Sequence, residues 1–587
     1  MMVLILIQLL ASKNSARGNK TINEKSQYQE PDAMKKDVTL SILFASLITF
    51  AFPPFQTGFL AYCAIIPLFP LIRDKSRKEA FKWSYLAGLL TNLMLLYWIG
   101  WSTLAGALSA ILVLPLYLSL FSIIQVTFLR RWGEKALYLA PVWWTAIEWV
   151  KSLGQIGFPW FSIGYSQSYY LPLIQFASFT GIYGVSFWVI LLNVILYDLY
   201  KNSSLHQKRN TLIIVFIILI AIPYLHGKLT IPNKKPENIS SIRIGVVQGS
   251  IDPFKKWKIE YKDTSFVVYE KLTRQVANEK PDLIVWPETA TPCWLKHEYE
   301  YLNRLVLLVD SLNIPLLTGT PDYKYVSELE YRTYNSAILI APKSPEIQTY
   351  AKMRLVPFGE RVPFEDSFPF TLIIQFLNKL EMGQGNFSPG IEPFVFSILP
   401  GSKTKLSKVF STAEEELLND LAQLLAKTEK LDSPGIKNDS LASKKAIAVT
   451  DDSIRFSVAI CYESIFPDIV HSFIQKGAQF LLVITNDAWF GRTSMPFQHN
   501  QYAVFRAIEN RVSIARCSNA GISSFINPYG QIMKTTSLLK PETLTADLPI
   551  LNEKSFYAKH GNVFANFMLL VSAMLFLMLP VKYFRKR

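Results

Sequence analysis

The hydrophobic pattern splits the chain into two textures. Long apolar runs occupy 38–53, 57–72, 84–102, 105–129, 137–150, 175–199, 210–227 and 562–581. A helix needs ~20 such residues to cross a bilayer. These runs predict eight transmembrane helices, of which the first, second and fifth are short. Between the seventh and the eighth the texture changes. Short β-like runs at 242–248, 283–286, 314–319, 336–340, 456–460 and 480–485 alternate with amphipathic stretches at 266–278 and 299–312. Such alternation predicts an α/β layered domain with buried sheets. The expected organisation is a leader over 1–37, seven transmembrane helices over 38–227, a folded α/β domain over 228–560, and a last transmembrane helix with a basic tail over 561–587.

Three segments stand outside that rhythm. Residues 400–453 are rich in Lys, Ser and Asp, with one predicted helix at 413–428 and a stop at Ser433-Pro434-Gly435. They read as a surface insertion. Residues 364–380 are strongly apolar for an exposed loop and read as a lid that dips into lipid. Residues 1–11 are apolar but too short for a span, and a polar stretch follows to Asp37, with Met34 an internal candidate start. This leader is assigned no function.

Composition agrees with the pattern. Half of the residues are hydrophobic and 18% are charged, which places the chain among membrane proteins with a large folded part. The net charge of +15 invites a nucleic-acid reading, so its location decides. Residues 228–560 hold 38 Lys and Arg against 36 Asp and Glu, whereas the remainder holds 22 against 9. The excess lies among the apolar runs, and nucleic-acid binding loses its support. The basic residues mark loops: Arg73, Lys75, Arg77, Lys78 and Lys82 after the second run, Arg130, Arg131 and Lys135 after the fourth, Lys201, Lys208 and Arg209 after the sixth, and Lys582, Arg585, Lys586 and Arg587 after the eighth. Lys and Arg resist translocation. Both termini are therefore expected on the cytoplasmic side and 228–560 on the outer side. Four cysteines make no disulfide framework, and no metal-ligand spacing is present, so no metal is expected.

The chemistry sits at strand exits. Cys461 ends the run at 456–460 and is followed by Tyr462-Glu463-Ser464. Glu288 ends Val285-Trp286-Pro287-Glu288, and Lys352 lies between them in Tyr350-Ala351-Lys352. Singly, a Cys after a strand is a small buried residue, a Pro-Glu is a turn and a Lys is a solvated charge. Together a carboxylate, an amine and a thiol are the parts of a cysteine acyl-transfer site. In that reading Glu288 takes the thiol proton, Cys461 attacks, and Lys352 with a backbone N–H near Cys461 holds the oxyanion. Asn335 and Asn486 are expected to order the site or to satisfy buried backbone. Glu148 ends an apolar run near Lys151, where an ionisable residue is either functional or reaches the interface. Cys293 and Cys517 are expected to be structural thiols.

Flanking motifs make the pattern specific. Trp286-Pro287-Glu288, Val356-Pro357-Phe358-Gly359-Glu360, Cys461-Tyr462-Glu463 and Asn486-Asp487-Ala488-Trp489-Phe490-Gly491, with His499 beyond, resemble the carbon–nitrogen hydrolase (nitrilase) superfamily. Gln248-Gly249 with Lys256-Trp257 resembles that domain's entry. In the apolar part, Glu148-Trp149, Gly157-Phe158-Pro159-Trp160 and Gly164-Tyr165-Ser166-Gln167 extend the likeness. Over about 38–582 the chain resembles the apolipoprotein N-acyltransferase family. The resemblance implies an αββα sandwich beside the transmembrane helices, in a bacterial inner membrane with the catalytic domain periplasmic. It implies a phospholipid acyl donor, the diacylglyceryl-cysteine N-terminus of an apolipoprotein as acceptor, and a thioester on Cys461. It assigns catalysis to Glu288, Lys352 and Cys461, a supporting carboxylate to Glu360, and site-shaping to Tyr462, Glu463, Trp257 and Trp489. No cofactor is implied. Two other readings remain: a membrane-tethered amidase on the same fold, and a catalytically silent membrane scaffold.

Overall fold

A computed structural model describes residues 31–202, 204–233, 240–328, 330–364, 386–399 and 453–579. Nearly all of the leader, nearly all of the 364–380 lid and the 400–453 insertion, and the basic tail lie outside the described residues.

The α/β half is built on two six-stranded sheets. The first holds β1 (Ser241–Gln248), β2 (Leu283–Val285), β3 (Leu316–Tyr325), β4 (Tyr331–Ile340) and β5 (Ile347–Ala351), in that order. The second holds β6 (Phe396–Ile398), β7 (Ile454–Ile460), β8 (Phe480–Thr485), β9 (Ile514–Ser518), β10 (Ser524–Ile526) and β11 (Ile532–Thr535), also in order. A last strand, β12 (Glu542–Pro549), returns to the first sheet and pairs antiparallel with β1, Ser241 facing Pro549. Each sheet has three central parallel strands, β1-β2-β3 and β7-β8-β9, flanked by antiparallel ones. The central runs are buried on both faces, which is why they read as short continuous apolar stretches.

Alternation along β1 shows the layers. Ile242, Ile244 and Val246 join the core shared with the second sheet, whereas Val247 joins a separate cluster under helices Ile259–Ala277 and Tyr299–Leu312. Helices Pro467–Gln475 and Met495–Asn510 cover the other sheet. The order is α-β-β-α, as expected. The 314–319 and 336–340 runs are parts of a longer hairpin, because β3 and β4 continue in register to Tyr325 and Tyr331 through residues that face water. β5, β6 and β9–β12 are too short or too polar to have been foreseen.

The membrane half departs further from expectation. Among the described residues, three helical stretches are long and apolar enough to cross a membrane: Leu104–Lys151, Ala177–Lys201 and His206–Thr230. The first contains two predicted spans, 105–129 and 137–150, joined by the 3-10 turn Gly133–Leu139. The run at 562–581 forms the shorter apolar helix Val563–Leu577. Residues 57–72 are not one helix but the 3-10 turn Gly58–Tyr62 and the short helix Leu68–Ile72 after Pro67. The first predicted span, 38–53, falls mostly in Pro31–Ala51, and the third, 84–102, is divided between Arg77–Leu96 and the 3-10 turn Tyr97–Trp101; the opening turns of both helices carry charged residues, so neither helix is apolar throughout. The helices pack through small and polar contacts, such as Ser84 Oγ to Ser122 Oγ at 2.6 Å and Asn193 Nδ2 to the Ala61 carbonyl at 2.7 Å.

The two halves are fastened at the end of β7. Tyr462 donates to the Gly157 carbonyl at 2.9 Å, and Tyr165 to the Ile465 carbonyl at 3.2 Å. Trp160 Nε1 donates to Gln498 Oε1 at 2.8 Å, and Gln498 Nε2 to the Pro53 carbonyl at 3.1 Å. The Gly157-Phe158-Pro159-Trp160 motif is thus the seam between the membrane helices and the sheets.

Candidate active site

The carboxyl ends of parallel strands open onto one side of the sandwich, the usual place for a site in such folds. β2 delivers Glu288 there, β5 delivers Lys352 and β7 delivers Cys461. Glu288 Oε1 accepts Asn335 Nδ2 at 2.8 Å and Lys352 Nζ at 3.3 Å. Its Oε2 accepts the backbone N–H of Asn486 at 3.0 Å. Lys352 Nζ also donates to Glu360 Oε1 at 2.8 Å, and Asn335 Nδ2 reaches that same oxygen at 2.8 Å. Two carboxylates therefore share one ammonium and one amide, which fixes all four side chains. Glu360 Oε2 accepts the Val356 amide at 2.8 Å, so Glu360 closes its own turn as well.

Burial alone would lower the Lys352 pKa, but the charges of Glu288 and Glu360 more than reverse that and raise it. The two carboxylates thus favour the charged form of Lys352. Cys461 is pushed the other way. Burial and then the Glu288 charge raise its thiol, and the Lys352 ammonium only partly opposes them. The resting sulfur is a thiol, and it needs a base to become a nucleophile.

Cys461 occupies the left-handed region, with φ of 51°, at the elbow between β7 and a 3-10 turn over Cys461–Ile465. A non-glycine residue is held there only by its surroundings. Glu463 supplies much of that hold. Its Oε2 accepts the Ile460 amide at 2.8 Å, and its Oε1 accepts Tyr350 Oη at 2.6 Å, the Met353 amide at 2.6 Å and the Arg354 amide at 3.2 Å. One carboxylate thereby joins the Cys461 elbow to the chain on both sides of Lys352. Burial raises the Glu463 pKa to about 7, against the pull of these donors.

A cavity of about 240 Å³ opens at Cys461. Tyr462, Phe490 and Pro357 wall it on the sheet side, and Trp98, Phe158 and Trp160 on the membrane side. It runs along one face of the helical segment that begins at Leu104, past Gly106, Ala110, Val113, Leu114 and Tyr117. The spacing of three and four keeps these residues on one stripe. From Gly106 to Tyr117 the stripe is about 17 Å long at 1.5 Å per residue.

The sequence-predicted residues separate into three groups. Glu288, Lys352, Glu360, Asn335, Asn486 and Glu463 form a connected polar frame, and Cys461 and Tyr462 line the cavity. Trp257 and Trp489 do not line it. Trp257 is half-exposed beside Lys256, and Trp489 packs edge-on against Phe254 at 5.0 Å. Glu148 is buried, and its Oε1 accepts Trp144 Nε1 at 2.8 Å and the Ile163 amide at 2.7 Å. It holds the first amide of the Ile163–Gln167 turn. Cys293 and Cys517 are both free and buried. Among the described residues no group of His, Cys, Asp and Glu could hold a metal.

Sequence reading missed the cavity stripe, and it named Asp487 and His499 in a motif without seeing that they form a buried cluster with Arg516 next to Cys461. Thr103, Gly106, Ser109 and Ala110 could have betrayed the stripe, as small residues recurring along an otherwise bulky apolar run.

Residues 44–195 match the family described as the apolipoprotein N-acyltransferase N-terminal domain, and 243–552 match carbon-nitrogen hydrolase. An apolipoprotein N-acyltransferase of Geobacter metallireducens is 31% identical over 551 residues, covering 90% of this chain and 93% of that one. One of Chlorobaculum tepidum is 30% identical over 570 residues, covering 94% and 97%. One of Pasteurella multocida is 26% identical, covering 89% and 91%.

Proposed function

The chain belongs to the apolipoprotein N-acyltransferase family, and from that premise we propose how its own residues carry the reaction. It is an acyltransferase of lipoprotein maturation that takes an acyl chain from a phospholipid and places it on an apolipoprotein. The observation that carries the mechanism is the Glu288–Lys352–Glu360 frame beside a half-buried Cys461 thiol that opens on an apolar cavity.

In the first half-reaction Glu288 takes the Cys461 proton while the sulfur attacks the ester carbonyl of the phospholipid. A C–S bond forms and the carbonyl becomes an oxyanion, held by the Lys352 ammonium and a backbone N–H near Cys461. As the oxyanion collapses, the C–O bond breaks. The leaving lysophospholipid oxygen takes the proton back from Glu288. In the second half the α-amine of the S-diacylglyceryl cysteine attacks the thioester and gives a proton to Glu288. The C–N bond forms, the C–S bond breaks, and sulfur recovers the proton. Lys352 is suited to the oxyanion role because its charged form is favoured, and such a donor in a dry site contributes about 10²–10³ in rate. The apolar stripe from Gly106 to Tyr117 suits an acyl chain, and Tyr462 with Phe158 shapes its mouth. Trp257 and Trp489, which lie outside the cavity, are assigned to the larger, second substrate.

The reading places the apolar helices of 38–227 and Val563–Leu577 in an inner membrane, with both termini cytoplasmic and the 228–560 domain periplasmic. The alternation of basic loops supports it. A site held at the bilayer surface meets both substrates by lateral diffusion. The test supplies purified protein with a labelled phospholipid and a diacylglyceryl-cysteine peptide, free or blocked at its amine. An amide-linked label on the free peptide alone is expected. Label released to water in both cases indicates an amidase-like hydrolase, and no turnover with an intact fold indicates a scaffold.

A further inference from the structure

Against Cys461 lies a second polar cluster without a role in the steps above. Ser464 Oγ is 2.9 Å from His499 Nε2, and His499 Nδ1 is 3.1 Å from Asp487 Oδ1. These are the contacts of a serine-protease triad. Two observations exclude Ser464 as a nucleophile. Its hydroxyl is buried and donates to the Cys461 carbonyl at 2.8 Å, and it does not line the cavity, whereas His499 does. Moreover Asp487 is already neutralised by Arg516, whose Nη2 sits 2.6 Å from its Oδ2. The Asp487 pKa falls despite burial because of Arg516 and then His499.

Counting hydrogens fixes the imidazole. Ser464 has given its only hydrogen to the Cys461 carbonyl, so the contact with His499 needs a hydrogen on Nε2. That same N–H lies 3.3 Å from the Cys461 carbonyl oxygen. On the other side, Arg516 Nη2 reaches His499 Nδ1 at 3.0 Å with its second hydrogen, so Nδ1 accepts. Asp487 Oδ1 is served by Thr485 Oγ1 at 2.8 Å. A neutral ring with its hydrogen on Nε2 satisfies Ser464, Cys461 and Arg516 together; it leaves the Nδ1 lone pair 3.1 Å from Asp487 Oδ1, a contact between two acceptors that Arg516 Nη2 offsets by donating to both His499 and Asp487. Burial and the neighbouring Arg516 charge keep His499 from protonating, and the Asp487 charge opposes them only in part. The ring is clamped from the membrane side by Trp160, with centroids 5.6 Å apart, and the neighbouring Gln498 is tied to both Trp160 and Pro53.

We propose that His499 is a positioning residue for acyl transfer: its Nε2–H, shared by Ser464 Oγ and the Cys461 carbonyl, holds the nucleophile in the left-handed conformation its elbow requires. The inference rests on the reading of Cys461 as the nucleophile. Glu463 holds the elbow through the Ile460 amide, and His499 holds it through the Cys461 carbonyl, so the pair Ile460–Cys461 is pinned at both ends. Because Trp160 and Pro53 belong to the membrane half, the same contacts make the elbow's geometry depend on that half being docked.

The test compares wild type with His499→Phe, which keeps a ring without the donor, and with His499→Gln, which restores an N–H. Two rates are read in the purified full chain: alkylation of Cys461 by iodoacetamide, and formation of its acyl thioester from a labelled phospholipid. His499→Phe is expected to slow both by roughly 10- to 100-fold, the scale of a small misplacement of a reacting group. His499→Gln is expected to recover most of the loss. The phospholipid concentration for half-maximal rate and the shape of the pH profile should stay unchanged, because no proton moves through the ring. A full rate in His499→Phe overturns the proposal. So does a displaced pH limb that Gln does not rescue, which would make His499 a proton carrier. Should His499→Phe fail to fold, Ser464→Ala removes the bridging hydroxyl and is expected to show a smaller loss of the same kind, and an unchanged alkylation rate there contradicts the proposal. Alkylation needs no acyl donor. A thiol whose alkylation depends on His499 but which accepts no acyl chain supports this inference and refutes the functional reading.

Discussion

Glu463 accepts the amide of Ile460 at 2.8 Å and, through its other oxygen, the amide of Met353 at 2.6 Å. The residue before the nucleophile and the residue after the ammonium thus hang from one buried carboxylate. All four of its partners are donors, so an amide in its place turns an NH₂ toward at least one N–H or O–H. Glu463→Gln is predicted to abolish thioester formation by more than about 100-fold and to lower the melting temperature, since a buried donor left unpaired costs about 1–3 kcal/mol. Thermal unfolding in detergent and a single-turnover assay check the two effects. An active, equally stable variant contradicts the account of the elbow.

Lys352 is the shared partner of two carboxylates, and its side chain is fully buried. Lys352→Met leaves Glu288 and Glu360 facing Asn335 with no cation between them. Breaking a buried pair in this way costs about 3–5 kcal/mol. The expected outcome is a destabilised protein with no measurable thioester. Lys352→Met with Glu360→Gln removes one surplus charge, and it is predicted to regain stability without regaining activity.

Gly319 packs against the backbone that carries Glu288. A Cβ there would stand 2.7 Å from the Cα of Glu288 and 2.8 Å from the Pro287 carbonyl oxygen. Neither is the end of a flexible side chain, so the strand turn must shift. Gly319→Ala is predicted to slow thioester formation at least about tenfold through displacement of the base. Alkylation of Cys461 by iodoacetamide should be less affected, because the elbow belongs to the other sheet.

Lys256 gives a pH signature. Its Nζ donates to the Thr289 carbonyl at 2.9 Å in a buried site. Burial lowers its pKa to about 7, against the attraction of Glu288. Between about 7 and the free-lysine value near 10.4 the unfolded chain holds one more proton than the folded one. Stability therefore rises with pH across that window, and the penalty is full below it. The melting temperature of wild type relative to Lys256→Met should climb from pH 7 toward the free-lysine value of about 10.4. Parallel curves contradict the assignment.

Much of the site was legible because each central parallel strand is a short apolar run ending abruptly in a chemical residue. Glu288 and Cys461 stand out for that reason. Lys352 was found by its motif, since β5 is half-buried at every residue but Tyr350 and has no apolar signal of its own. The helix Met495–Asn510 gave His499 no periodic signal, so it entered only as the residue beyond the Asn486–Gly491 motif, without a role. Every residue in it but Phe497 is buried, yet it carries Gln498, His499, Asn500, Gln501, Arg506, Glu509 and Asn510. A helix whose polar side chains are satisfied inside the fold has no apolar face for periodicity to detect. The membrane half was over-read for the opposite reason. Residues 57–72 are apolar because they are buried among other helices, and composition alone does not separate that from contact with lipid.

The account depends on a fatty chain passing through the sulfur of Cys461. Intact-protein and peptide mass spectrometry after brief incubation with a phospholipid of one defined acyl chain tests this directly. The predicted result is one added acyl group on the peptide carrying Cys461, labile to hydroxylamine, absent in Cys461→Ala, and discharged onto the α-amine of an added diacylglyceryl-cysteine peptide. Transfer to that amine by a Cys461→Ala protein, or an acyl group carried on any other residue, would contradict it.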